Sequence, residues 1–296
     1  MSAKGVDVKQ KIMSYADKIK SEFKNYAKQK GIPIGKWQNK GRNRPHILCE
    51  DYKHKNLIGN YGEKFWQEEK DKIKLHRYFH HLNSSQAMCI NFFYPLIQKK
   101  KLDVILQKLG LDSEEVSYDS VGFEKESEKD DKKAISKNIP ELKQKQVIPT
   151  SFDFYLETKS GKKLYFEIKY TESEFGGAQK EKDSKEYEQK YKLKYERIYK
   201  KAANGKIAST FNNKDFFLDN YQIMRNLIHV SNDSFVVFVI PKGNVKVYEK
   251  AKKAKDYVDE KYKKNVMVLT WNELSKIDFE EDLKEYYQEF WDKYKL

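Results

Sequence analysis

The sequence predicts a mixed α/β (α+β) fold, in which a mixed central β-sheet is flanked by helices and further helices lie at both ends. Three observations predict it. An apolar hairpin occupies residues 151–172, SFDFYLETKSGKKLYFEIKYTE, with its turn centred near Ser160-Gly161. A second apolar run, FVVFVI at 235–240, has strand length and follows a helical stretch rather than a turn. Around both, apolar residues recur at helical spacing. Strands mixed with helices in this order suit a sheet covered by helices.

The elements follow in order. Residues 9–30 place Ile12, Tyr15, Ile19, Phe23 and Tyr26 at helical spacing, and Gly31 and Pro33 stop the helix. Residues 35–45, GKWQNKGRNRP, are expected to form a basic loop. There Trp37, Lys40, Arg42 and Arg44 interleave charge with an aromatic ring. A solvated loop anchored by its Trp is the first reading, and an arm gripping a phosphate backbone is the functional one. Residues 61–79 are expected to be a helix. Residues 83–109 are expected to form a longer, mostly buried one, capped by Asn83 or Ser84, kinked or broken at Pro95 and ended by Gly110. Residues 116–123 suit a strand.

Residues 124–145 are dense in charge without periodicity and suggest a solvated loop or insertion. The hairpin strands are expected at 152–158 and 163–171. Residues 179–203 are expected to form a charged helix with Tyr187, Tyr191, Tyr195 and Tyr199 on one stripe. A core-facing seam is the first reading of that stripe, and a surface for stacking bases the second. A helix at 216–229 leads into the strand at 234–240. A strand at 265–270 and a helix at 279–294 close the chain.

The chain has 296 residues, enough for one large domain or two modest ones, and its hydrophobic fraction of 39% can build a core rich in its 21 Tyr and 17 Phe. A net charge of +14 suggests a polyanionic partner, nucleic acid first, although a Lys-rich proteome would also produce it. Two cysteines, Cys49 and Cys89, make neither a disulfide framework nor a Cys-based zinc site. No apolar run approaches the ~20 residues of a membrane helix. The N-terminus lacks an apolar signal core, so a cytoplasmic location is expected. His76, His80 and His81 include a four-residue spacing, but no familiar zinc pattern completes it. No Gly-rich phosphate loop is present, which argues against ATP-driven translocation.

The chemistry concentrates in the hairpin. Counting back from the turn sets Asp153 nearly opposite Glu167, and strand alternation sends Glu167 and Lys169 to one face. Leu164, Phe166, Ile168 and Tyr170 take the other. Charged groups on an otherwise apolar strand are costly to desolvate, so function, usually a metal ion, is the expected reason to keep them. A cross-strand surface salt bridge is the plain alternative. The acid-x-Lys spacing recurs at Glu68, Glu141, Asp183, Glu188 and Asp282, always in charged helices or loops. Only Glu167-Ile168-Lys169 has an apolar strand and a partner acid across a turn.

Asp153 followed by Glu167-Ile168-Lys169 resembles the PD-(D/E)XK nuclease superfamily, the restriction-endonuclease-like fold. The likeness spans about residues 83–240 and is closest to a bacterial group of type II restriction endonucleases. It rests on NSSQAMCINFFYPL (83–96), FEIKYTESEFG (166–176) and the run ending FVVFVIP at Pro241. Phe152 stands where the superfamily's eponymous proline would be. The organisation expected is an N-terminal basic helical region at 1–82, a nuclease core at 83–241 with the charged insertion, and a C-terminal strand and helix extension at 242–296 packed on the core.

The resemblance implies a Mg²⁺-dependent endonuclease acting on double-stranded DNA, with Mn²⁺ as a substitute metal. Asp153, Glu167 and the Ile168 carbonyl would hold the metal, and Lys169 would orient the water or offset phosphate charge. A fourth acid or accessory polar group would come from Glu63, Glu124 or Gln86. Glu172 falls on the opposite face if its strand continues, and Glu174 has no independent support. Trp37, Lys40, Arg42 and Arg44 are the candidate DNA contacts. Cutting both strands needs two sites, so a homodimer is expected, and a restriction system would bring a cognate methyltransferase. The rival readings are a structure-specific repair or recombination nuclease and an inert nucleic-acid-binding protein on the same fold.

Overall fold

A computed structural model describes residues 13–37, 40–141, 149–178 and 191–296. Two sheets lie within them. Strands β1 (Ile34–Trp37) and β2 (Lys40–Leu48) pair as an antiparallel ribbon. The expected loop at 35–45 is therefore a ribbon. Gly35 permits it, since a Cβ there would lie 2.7 Å from the Leu48 carbonyl oxygen. The ribbon is also fastened to the chain ahead of the next long helix, where the Leu48 amide donates to His80 O and the Leu82 amide to His46 O.

The central sheet has the order β3 (Val116–Glu126), β4 (Ser151–Thr158), β5 (Lys163–Ile168), β6 (Ser234–Ile240) and β7 (Val266–Thr270). The first three strands are antiparallel and the last three parallel, which makes it the mixed sheet the sequence predicts. The hairpin pairs Phe154 with Phe166 and Glu157 with Lys163, and Gly161 turns it at φ 87°.

Helices cover both faces. On one lie α1 (Tyr15–Gln29), α2 (Gly59–Glu68), α3 (Ser85–Lys99) and α4 (Asp103–Lys108). Phe93 of α3 stacks on Phe154 at 4.0 Å between ring centres. Leu164, Phe166, Ile168 and Tyr170 belong to this core, as the hairpin alternation predicts, together with Phe154 and Val237. The other face carries α5 (Lys132–Asn138), a π-helical turn at Tyr195–Tyr199 running into α6 (Lys200–Ala203), α7 (Lys214–Asp219), α8 (Tyr221–Leu227) and α9 (Val245–Tyr257). Tyr195 and Tyr199 are buried there, so that part of the tyrosine stripe is a core seam. Tyr187 lies outside the described residues. The chain closes with α10 (Trp271–Leu274) and α11 (Glu281–Tyr294), back on the first face.

Several expected boundaries move, each for a local reason. The helix at 61–79 stops at Glu68, where Glu69, Lys70, Asp71 and Lys72 offer no apolar face to continue it. Helix α3 runs straight through Pro95 and breaks instead at Lys100, which adopts φ 54°. Pro95 has no N–H for the Asn91 carbonyl, and the Tyr286 hydroxyl of α11 donates to that oxygen at 2.7 Å. The helix at 216–229 splits at Asn220 into α7 and α8. The charged stretch from Glu124 is not a solvated loop throughout. Its first residues extend β3, α5 follows, and Asp130 is buried; residues 142–148 lie outside the description. Helix α9 has no counterpart in the sequence reading.

Candidate active site

Asp153, Glu167 and Lys169 gather where β4 and β5 run out of mutual backbone pairing. The ladder ends at Phe154↔Phe166, and beyond it the Ile168 amide donates to Asp153 Oδ2 at 2.6 Å. Side-chain alternation breaks at the same point. Phe154 stacks on Phe93 on one face, whereas Phe152 rests on Tyr165 and His229 on the other. Asp153 thus turns its carboxylate along the sheet toward β5, rather than standing on one face beside Glu167 as strict alternation would have it.

Glu167 and Lys169 are buried, with 3% and 6% of their surface exposed. Lys169 Nζ lies 2.8 Å from Glu167 Oε1. Two amides missed in the sequence complete the arrangement. Gln222 Nε2 donates to Glu167 Oε1 at 2.8 Å, and Asn226 Nδ2 donates to Oε2 at 2.9 Å. Gln222 Oε1 accepts from Lys169 Nζ and from the Gly176 amide, both at 3.2 Å. The two amides stand four residues apart on α8, so they share one helix face. Tyr221, Ile223, Met224 and Leu227 of that helix are buried. Two amides at this spacing in a largely apolar helix before a buried strand were the signal available.

The same helix is anchored by Arg225. Its Nε donates to Thr150 Oγ1 at 2.8 Å and its guanidinium pairs with Asp130 at 3.2 Å. Asp130 also accepts from the Thr150 amide and from the Tyr199 hydroxyl. Burial alone would raise the Asp130 carboxyl, but Arg225, Tyr199 and Thr150 outweigh it and hold it below the usual range.

Glu124 joins from β3. The pairs Phe123↔Phe154 and Lys125↔Phe152 set it opposite Asp153. Its backbone is left-handed, φ 52°, a conformation costing a non-glycine residue ~1–2 kcal/mol. Strain of this kind persists where the surroundings fix it, commonly at functional sites. Glu124 Oε1 accepts from Gln86 Nε2 at 2.7 Å and Oε2 from Ser151 Oγ at 3.0 Å. Gln86 in turn accepts from the His76 amide at 2.8 Å and donates to the Lys74 carbonyl.

Charge crowding defines the electrostatics. Burial, then Glu167 and Glu124, push the Asp153 carboxyl well above the usual range. Burial is also the main cause of the rise at Glu124, with Glu167 adding to it against the hydrogen bonds from Gln86 and Ser151. Burial would lower Lys169, but Glu167, Glu172 and Asp153 outweigh it and raise its pKa, so it stays a cation. Asp153 uses one oxygen on the Ile168 amide, and no protein donor meets the other among the described residues.

The remaining candidates fall elsewhere. Glu63 is exposed on α2 and pairs with Lys55 at 3.6 Å, outside this cluster. Strand β5 ends at Ile168, so Glu172 is not on a continuing strand, and its carboxylate accepts from the Tyr170 amide. Glu174 pairs with Lys246 at the surface. His76, His80 and His81 sit among aromatic rings. No group of three or more His, Cys, Asp or Glu side chains placed to hold a metal occurs among the described residues. Trp37, Arg42 and Arg44 are exposed on the ribbon, while the Lys40 side chain lies outside the description. No helix among the described residues is long and apolar enough to cross a membrane.

No curated protein and no solved structure matches the chain. A protein-family model described as restriction endonuclease associating with ARP matches residues 20–295, beyond the 83–240 of the sequence resemblance at both ends. With that match spanning nearly its whole length, the chain belongs to this restriction-endonuclease family, a family of nucleases.

Proposed function

We propose that the chain is a Mg²⁺-dependent endodeoxyribonuclease of the PD-(D/E)XK type, acting as a type II restriction enzyme on double-stranded DNA. The observation that carries this reading is the meeting of Asp153, Glu167 and the cation Lys169 at the end of the β4–β5 ladder, with Glu124 beside them. The donor set fits a hard cation. It is made of carboxylate oxygens, one Asp153 oxygen lacks a protein donor, and the crowded negative charge would be relieved by a dication. Asp153 and Glu167 would hold it. In an extended strand N–H and C=O share an edge, so the Ile168 carbonyl faces Asp153 and would add a third oxygen. Such an ion supplies an acidified water and neutralises phosphate charge.

The chain's own residues do the rest. Lys169 stays protonated, so its role is charge and hydrogen-bond donation to the phosphate or the attacking water, not general-base catalysis. Gln222 and Asn226 fix the Glu167 carboxylate, and Gln222 also fixes Lys169. The net charge of +14 adds salt-sensitive affinity for phosphates. The family's description names an association with ARP, so a partner protein belongs to this reading. Cutting both strands would call for a homodimer, and a restriction system would bring a cognate methyltransferase.

The test is incubation of purified protein with plasmid and phage DNA, with Mg²⁺ or EDTA, alongside Glu167→Ala. Discrete Mg²⁺-dependent fragments lost in the variant are expected. Nicking or smearing would replace the restriction reading by a structure-directed nuclease. Cleavage surviving in both Asp153→Ala and Lys169→Ala would show the site to be wrongly assigned.

A further inference from the structure

Four exposed cations and one exposed tryptophan lie on the β1–β2 ribbon and the segment packed against it. Trp37 ends β1 with 40% of its surface exposed, and its ring stacks on Tyr78 at 5.1 Å with 25° between planes. His81 lies 5.2 Å from the same ring. The Arg77 guanidinium sits over the Tyr78 ring at 4.8 Å. Lys36, Arg42 and Arg44 are exposed on the ribbon beside this stack. Among the described residues, none of Lys36, Arg42, Arg44 and Arg77 makes an ion pair, whereas many other surface cations do. A cleft of about 940 Å³ runs alongside, lined in part by Lys36, Asn43, Arg77, Tyr78 and His81.

This stack is wired to the catalytic edge. The Leu48 and Leu82 amides tie the ribbon to the segment holding Tyr78 and His81. Gln86, a few residues on, accepts from the His76 amide and donates to Glu124. Asn83 Nδ2 donates to Thr171 Oγ1 at 2.7 Å, two residues past Lys169.

We propose that the Trp37–Tyr78–Arg77 stack is a DNA-binding subsite that takes a base unstacked from the duplex beside the cleaved phosphate. The proposal rests on the nuclease reading and deepens it. Tyr78 stacks on Trp37 and His81 lies against the same ring, and the 40% of Trp37 that stays exposed is the surface offered to an aromatic plane of the ligand. A part-exposed indole near cations without ion pairs suits a nucleobase with its phosphates, because every base has a stacking face and the cations follow the backbone. Burial lowers His81 to about 3 and His46 to about 4, so the rings behind the stack stay neutral and act by packing. The positive charge near the stack then comes from Lys36, Arg42, Arg44 and Arg77, while the acids Glu50 and Asp51 line another part of the cleft.

The test uses the full chain in EDTA, so that DNA is bound and not cut. Affinity is measured by anisotropy for a perfect duplex, for the same duplex with one extrahelical base, and for the single strand. Trp37→Ala is expected to weaken the last two at least about fivefold and to change the perfect duplex little. Trp37→Tyr should restore them. Arg42→Ala with Arg44→Ala should weaken all three and flatten the salt dependence. Equal effects of Trp37→Ala on all three DNAs, or failure of Trp37→Tyr to rescue in a variant whose melting matches the parent, would overturn the stacking subsite. Those outcomes leave the nuclease reading standing if the parent binds and cuts. A parent that binds none of these DNAs and cuts none would overturn both.

Discussion

Replacing Gln222 by Met tests whether α8 sets the catalytic geometry. Met matches the length of Gln without its polar atoms. The change removes the 2.8 Å bond to Glu167 and the 3.2 Å acceptors for Lys169 and Gly176. Glu167 keeps Lys169 and Asn226, and the half-buried Gly176 amide can regain water. A charge-assisted hydrogen bond contributes ~1.5–3 kcal/mol, so the net loss of stability should be about 1–2 kcal/mol. Catalysis should suffer more, because among the described residues Gln222 alone hydrogen-bonds both Glu167 and Lys169. Loss of a partner that orients metal-binding carboxylates typically costs ~10–100-fold. Steady-state cleavage with excess Mg²⁺ should show this loss in kcat, with KM for DNA little changed. The melting temperature should fall only slightly. A kcat within about twofold of the parent in a folded variant would refute the idea that α8 positions the site.

Other perturbations give separable outcomes. Asp153→Asn should abolish cleavage and yet raise stability at neutral pH. Its carboxyl is raised in the folded state, so its ionisation destabilises the fold as pH rises past the unfolded pKa, and denaturation in EDTA reads the gain. His229 is lowered to about 3 by burial and then by Lys129. Its contribution is present above about pH 6.5 and is lost as pH falls from there toward 3, at ~1.4 kcal/mol per pH unit. His229→Gln should flatten acid unfolding over that window, and an unchanged acid midpoint would argue against it. Lys293 is fully buried on Asn56 and lowered to about 7 by burial. Stability should therefore climb between about pH 7 and 10.5 as the unfolded chain gives up its proton. Lys293→Met should remove that climb, which urea titrations at two pH values would show.

Much of the central sheet was legible in the sequence because the chain writes it plainly. FVVFVI is buried along its length, and SFDFYLET and KLYFEI flank a Gly turn, so their places follow from composition, although the second hairpin strand ends at Ile168 and not at the expected Thr171. The hairpin register followed from the turn, which is why the Asp153–Glu167 pairing could be counted. The break in alternation at Asp153 could not be. It depends on the Ile168 amide finding a carboxylate in place of a backbone carbonyl, and that requires the neighbouring strand. The passage of α3 through Pro95 was hidden for a similar reason, since the hydroxyl that satisfies Asn91 comes from Tyr286, far along the chain. Gln222 and Asn226 look like ordinary polar residues of a helix until Glu167 lies under them. Nothing in the sequence shows that α2 turns Glu63 to solvent beside Lys55, away from Asp153 and Glu167.

Asp130 gives the charged stretch after β3 an unexpected standing. By composition that stretch looks like dispensable surface, the natural place for a cut, a fusion or a change of length. Through Asp130 it grips Arg225, which on α8 stands three residues after Gln222 and one before Asn226, the amides that hold Glu167. Clipping or lengthening the segment would therefore loosen the proposed cutting centre from a distance, without touching Asp153, Glu167 or Lys169.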